Sequence, residues 1–245
     1  MSAAGRTVGS TGGTGGTGGT GDTGDTGGTG GQGRGGGARD RWRTRALDLL
    51  IAVPAAILTA PVIALLCVLI RAETPGDPIY RQVRVGRDGR PFEIYKLRTM
   101  VSGAEFIGAK IAIVPGDSRI TRCGRFLRRS SLDELPNLWN VLRGEMSIVG
   151  PRPTVQAQVD AYTDRQRGRL AVRPGITGWA QVNGRAALPW ADRIELDLWY
   201  VEHRSLALDL RILVRTVGMV AGGHGLYHPD STGGWTPPTD DPSGP

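Results

Sequence analysis

The chain has 245 residues and a formal net charge of +7 at pH 7, with the excess carried mostly by arginine. Such a surplus suits an anionic partner, whether nucleic acid, phosphorylated substrate or anionic membrane, and charge alone does not choose among them. The two cysteines, Cys67 and Cys123, lie far apart, which excludes a disulfide framework or cysteine metal spacing and points to a reducing compartment.

Residues 1–38 are nearly all Gly, Thr and Ser, with a Gly-Gly-Thr repeat. This segment has little apolar surface to bury and the largest backbone entropy to lose, so it is predicted to be a disordered tail. Its GTGGTG at Gly13–Gly18 matches a dinucleotide-binding glycine pattern, but no strand precedes it. The end of the chain, 222–245, has a similar composition and the same prediction; His224 and His228 within it are a weak metal signal. Roughly 180 residues remain, enough for one domain with a core.

From Leu49 to Ile70 the chain carries no charge. As a helix it would extend ~33 Å at ~1.5 Å per residue, enough for a hydrocarbon layer of ~30 Å. Pro54 and Pro61 interrupt it, and both flanks are basic: Arg39, Arg41, Arg43 and Arg45 before, Arg71, Arg81, Arg84 and Arg87 after. Prolines kink a helix, and basic flanks favour the cytoplasmic side. A helix that enters the membrane, breaks near Ala60–Pro61 and leaves on the same face meets both demands. Thr59 is positioned to serve the backbone groups a break would free. A plain span is the alternative.

Residues 79–100, IYRQVRVGRDGRPFEIYKLRTM, read as two short strands around a turn. Residues 117–128 read as a short loop and then a basic helix, with Ile120, Phe126 and Leu127 inward. Leu135, Leu138, Val141 and Leu142 recur at helical spacing, and Gly144 is a natural stop. MSIVGPRP then reads as a buried strand and a rigid turn, 155–170 as a polar helix, and 173–185 as a loop. In the last segment, 195–220, Leu206, Leu210, Leu213 and Val217 share one face, which suits a core helix or an in-plane membrane helix equally.

Ser131 and Glu134 in SLDE have capping-box spacing. The competing reading makes Asp133 and Glu134 a functional pair, with a helix N-terminus keeping Asp133 ionised. A carboxylate so placed can attack phosphorus, or bind a divalent cation jointly with a pyrophosphate. Lys96, Arg98, Arg119, Arg125, Arg128 and Arg152 surround the pair in sequence. They are candidates for phosphate oxygens or members of a solvated or membrane-facing rim. Pro151 and Pro153 fix the backbone around Arg152 and so aim its side chain. There is no Walker lysine loop, no GxSxG elbow and no nucleic-acid-binding module.

Over roughly residues 42–220 the chain resembles the bacterial sugar transferases, the small monotopic phosphoglycosyl transferases. The resemblance rests on RALD, PIYRQVRVGRDGRPFEIYKLRTM, DSRITRCGRFLRRSSLDELPNLWNVLRGEMSIVGPRP, RPGITGWAQVNGR and ELDLWYV, in that order. It implies an α+β, helix-rich fold with a small β element, a re-entrant membrane helix broken by proline, and amphipathic surface helices. The implied domains are a 39–71 membrane helix and a 72–221 cytosolic catalytic domain at the inner face of the bacterial cytoplasmic membrane. The implied reaction moves a sugar 1-phosphate from a UDP-sugar to polyprenyl phosphate, starting an exopolysaccharide or glycoconjugate. By resemblance Asp133 is the nucleophile that releases UMP, and Glu134 helps hold Mg²⁺. Lys96 and Arg152 match positions near phosphates; Arg98, Arg119, Arg125 and Asp197 complete the candidate substrate set. The family's usual Ser-Pro break is Ala60–Pro61 here, without the serine. No nucleic acid is implied as a partner, and a homo-oligomer is left open. The loops around 103–116 and 183–192 are the candidates for reading the sugar.

Overall fold

The computed structural model describes residues 36–104, 117–184 and 188–222. The readings of 1–35, of the histidines near the C-terminus and of most of the 103–116 loop lie outside them, as do 185–187 and 223–245. The described part is α+β and helix-rich, with two small two-stranded sheets and one long apolar helix.

That helix, α1, spans Gly36–Glu73 with both prolines inside. Its Trp42–Glu73 portion is long and apolar enough to cross a membrane, and 11% of its apolar window is buried within the molecule. One stripe faces inward: Thr44, Asp48, Ala52, Leu66 and Ile70 are buried, and Ala55, Thr59 and Ile63 are half-buried between them. Those positions fall three or four residues apart, one face of a 3.6-residue helix. Pro54 and Pro61 are exposed, seven apart, on the opposite face. The break expected near Ala60–Pro61 is not a loss of helix, which is continuous there. The Thr59 hydroxyl donates to the carbonyl of Ala55 at 2.7 Å, not to Ile57, whose helical partner the proline removes. A proline ring crowds the preceding turn on its own side, so both prolines favour curvature with the stripe on the inside.

Strands β1 (Ile79–Val85) and β2 (Pro91–Leu97) form an antiparallel hairpin. Asp88 and Gly89 take positive φ values of 58° and 76° in the turn. The register pairs Tyr80 with Lys96, Gln82 with Ile94 and Arg84 with Phe92, so these six share one face. Helix α2 (Arg122–Ser130) follows, its first amides served by the Thr121 hydroxyl and the Glu73 carboxylate. Gly124 is required there, because a Cβ would lie 2.0 Å from the carbonyl oxygen of Thr99. Leu127 is buried as expected, but Phe126 points outward and is 58% exposed. A 3₁₀ turn over Leu132–Glu134 leads into α3 (Asn137–Arg143), which Gly144 ends with φ 81°. Arg45 of α1 donates to the last carbonyls of α3, Val141 and Leu142.

Strand β3 (Ser147–Val149) runs parallel to β4 (Gly175–Thr177). The stretch 173–185 is therefore not all loop: it holds β4 and a helical turn, α6 (Trp179–Val182). A Cβ on Gly175 would lie 2.1 Å from the amide of Gly150, so the two backbones touch only because both residues lack one. The polar helix expected over 155–170 is three pieces: α4 (Gln156–Asp160), α5 (Asp164–Arg167) and a 3₁₀ turn. Helices α7 (Trp190–His203) and α8 (Leu206–Ala221) close the described chain. In α8 the inward residues are Leu208, Asp209 and Ile212, while Leu206, Leu210 and Val217 of the predicted stripe are 46%, 48% and 69% exposed.

The main core joins Ala52 of α1 to Ile94, Leu138, Val141, Met146, Ile148, Val149, Tyr200, Leu208 and Ile212. A second cluster packs Leu66 and Ile70 of α1 on Leu97 and Leu127. Asp48, buried in α1, accepts from the Ser147 hydroxyl and the Ile148 amide, tying the helix to β3.

Candidate active site

The end of α2 delivers the carboxylate pair. Ser131 adopts a left-handed conformation with φ 58°, closing α2 and starting the 3₁₀ turn that carries Asp133 and Glu134. The expected capping box does not form. Ser131 makes no side-chain cap bond, and its hydroxyl oxygen is buried without a partner. Nor does Asp133 head an α-helix, since α3 begins only at Asn137. Its charge is governed by neighbouring cations and by burial, not by a helix dipole.

Glu134 is 6% exposed and points away from Ser131. Its Oε1 accepts from Lys96 Nζ and from Arg152 Nη2, each at 2.8 Å. Lys96 comes from β2, and Arg152 from the Pro151–Pro153 turn after β3. One carboxylate oxygen thus joins three separate elements. Burial works against the Glu134 charge, but Arg152 and Lys96 overcome it and hold the carboxyl at about 2. Asp133 moves the other way. Burial pushes it above the usual carboxylate value of 3.8, with Lys96 opposing, Glu134 adding, and Arg152 and Arg128 opposing. Its Oδ1 is buried and has no hydrogen-bond partner. Two adjacent carboxylates whose pKa values are driven apart are suited to different tasks. Glu134 is clamped with its ionised form favoured; Asp133 keeps a buried oxygen without a hydrogen-bond partner.

The remaining predicted residues separate. Arg98 is buried, but it donates to the carbonyls of Pro75 and Thr74 and to the Thr74 hydroxyl, so it fastens the end of α1. Arg119 is buried in a two-bond pair with Asp117, at 2.9 and 2.6 Å, and also donates to the Ala104 carbonyl. Arg125 is exposed and donates to the carbonyl of Ile120 at 3.2 Å. Asp197 is buried against Arg169, and Arg169 donates to the carbonyl of Arg152 at 3.0 Å and to the Tyr162 hydroxyl. Among the described residues each of these four is engaged with neighbours other than the carboxylate pair, and Asp197 is linked to the site through Arg169 and the Arg152 backbone.

Two residues that the candidate set lacks belong to the site's surroundings. Arg84 shares the hairpin face of Lys96, which strand alternation alone would have revealed. Arg169, 17 residues from Arg152, leaves no short-range sequence signal.

Among the described residues no three side chains of His, Cys, Asp or Glu cluster as a metal cage. Asp133 and Glu134 still fit magnesium, which takes one or two carboxylates and completes its shell with water and phosphate oxygens. The orphaned Oδ1 of Asp133 supplies a hard oxygen for such a shared site.

The sequence profile of the bacterial sugar transferases matches residues 39–223. The chain is 42% identical to the uncharacterized sugar transferase EpsL of Bacillus subtilis, over 74% of this chain and 89% of that protein. It is 45% identical to the UDP-glucose:undecaprenyl-phosphate glucose-1-phosphate transferase of Caulobacter vibrioides, over 71% of this chain and 68% of that protein. It is 43% identical to the UDP-N-acetylgalactosamine-undecaprenyl-phosphate N-acetylgalactosaminephosphotransferase of Aeromonas hydrophila, where 74% of this chain spans only 44% of the relative.

Proposed function

This chain belongs to the bacterial sugar transferase family, and from that premise we propose that it is a membrane-bound phosphoglycosyl transferase moving a sugar 1-phosphate from a UDP-sugar to polyprenyl phosphate. The observation that carries the assignment of roles is the asymmetry of the dyad: Glu134 is locked by Lys96 and Arg152, while Asp133 holds an unpartnered buried oxygen.

In the first half-reaction an Asp133 oxygen bonds to the β-phosphorus. The bond from that phosphorus to the bridging oxygen breaks, and UMP leaves with the electron pair. In the second, an oxygen of polyprenyl phosphate attacks the same phosphorus, the bond to Asp133 breaks, and the carboxylate is restored. Covalent catalysis lets a water-soluble donor and a lipid acceptor use one site in turn. Lys96 and Arg152, fixed by Glu134, place positive charge beside the reacting phosphate. Magnesium, held by the dyad carboxylates and the diphosphate, would neutralise part of the donor's charge.

The burial pattern of α1 supports a re-entrant membrane pose. Both ends of its inward stripe pack on the same domain, while Ile57, Leu58 and Leu65 between them are 69%, 74% and 61% exposed. A curved helix that dips into the cytosolic leaflet and returns satisfies this burial and the basic flanks together. In this reading any bend belongs to a continuous helix, not to an unwound break.

The test is Asp133→Asn in the full chain, assayed with a panel of UDP-sugars. The expected result is loss of UMP release and of radiolabel trapped on the protein from β-phosphate-labelled donor. Normal turnover by the variant would sink the nucleophile assignment.

A further inference from the structure

We propose that Arg84 is a third phosphate-binding cation of this site, held on the hairpin face of Lys96 and aimed at the anion that binds beside Asp133. The proposal rests on the phosphoglycosyl transfer read above.

Three constraints place the side chain. Strand alternation puts Gln82 and Arg84 on the face that carries Lys96. An isolated antiparallel bridge joins Val85 to Thr154, with the Val85 amide donating to the Thr154 carbonyl at 2.8 Å. That bridge brings the end of β1 alongside the turn that presents Arg152. Gln82 Oε1 then accepts from Arg84 Nη2 at 2.5 Å, which orients the guanidinium.

The orientation leaves Arg84 electrically unsatisfied. Its Nε is buried without a hydrogen-bond partner. Among the described residues its side-chain hydrogen bond goes to the neutral amide of Gln82, whereas Lys96 and Arg152 share Glu134. Burial, then Arg152, draw its pKa down to about 10, with Tyr80 and Glu134 only partly opposing. Among the described residues, Lys96, Arg152, Arg128 and Arg84 act electrostatically on Asp133 or Glu134, four cations for two carboxylates. A partly buried surplus of this sign is relieved when an anion arrives. The chemistry that satisfies it is a phosphoryl oxygen, from the donor's diphosphate or the acceptor's monophosphate. A guanidinium with a free edge is the group that takes it.

The experiment compares the full wild-type chain in detergent with Arg84→Gln and Arg84→Lys. UDP and farnesyl phosphate are titrated separately by calorimetry, and ligand-free thermal unfolding is followed in parallel. Arg84→Gln is expected to weaken one of the two ligands about tenfold, the scale of one hydrogen bond to a charged group, and Arg84→Lys to recover part of it. Loss for UDP assigns Arg84 to the donor, and loss for farnesyl phosphate to the acceptor. The ligand-free Tm should stay level or rise, because an uncompensated buried charge is gone. Unchanged affinity for both ligands in a wild type that transfers would overturn the Arg84 assignment alone. So would a fall in ligand-free Tm for both variants without weaker binding, the mark of a structural arginine. A wild type that binds neither ligand would remove the transfer reading and this proposal with it.

Discussion

At the scale of single residues, Asp133 and Glu134 are chemically similar and adjacent, yet they sit in opposed electrostatic environments. Glu134, held at about 2 against an ordinary 4.5, contributes stability that is present above the ordinary value and lost as pH falls through about 2. Glu134→Gln is therefore expected to lower stability at neutral pH by about 3 kcal/mol. Thermal unfolding against pH should show the gap between variant and wild type narrowing below 4.5 and closing near 2. A gap independent of pH would exclude the ion-pair origin. Asp133 is raised above 3.8, so its ionised form is disfavoured in the folded protein. Asp133→Asn should be as stable as the wild type, or more so, while inactive. Since attack needs the carboxylate, the acid limb of UMP release should lie above 3.8.

At the scale of elements, the site depends on close approaches that no side chain can replace. Helix α2 passes so near Thr99 that a Cβ on Gly124 would meet its carbonyl at 2.0 Å. Gly124→Ala must therefore displace α2, and with it the 3₁₀ turn that carries the dyad. The expected cost is of order 1–3 kcal/mol, with a lower Tm in detergent and a loss of UMP release; full activity would show that α2 can shift without moving Asp133. The hairpin and α3 were legible in sequence because strand alternation, helical spacing and Gly144 act within a few residues. Strand β4 was not, because its pairing with β3 joins Ser147 to Gly175 and Val149 to Thr177. Glycine-rich sequence that reads as loop becomes a strand only when another backbone comes close enough to pair with it.

At the scale of the molecule, α1 is both core and exposed apolar surface. Its stripe completes two hydrophobic clusters, and Asp48 supports β3, the strand that runs into the Arg152 turn. The long apolar helix and the carboxylate pair's basic partners are thus mechanically joined. The exposed side of α8, with Val214 and Val217 at 73% and 69%, adds apolar surface beyond α1. The re-entrant pose is checked by Trp42→Cys with Cys67 and Cys123 changed to serine. In intact cells the new thiol is expected to resist a membrane-impermeant maleimide and to react after lysis. Labelling from outside would establish a span.

By itself the sequence determined the family, the carboxylate pair, the hairpin and the apolar helix, because each is written in contiguous residues. It could not separate Lys96 and Arg152, which bind Glu134, from Arg98 and Arg119, which serve backbone carbonyls and Asp117. An arginine's reach is long and its charge is the same everywhere, so its role depends on which distant groups share its pocket. For the same reason the capping-box pattern at Ser131 and Glu134 did not decide the geometry. Two cations from other elements attract the Glu134 carboxylate more strongly than one backbone amide, and only tertiary packing brings them there.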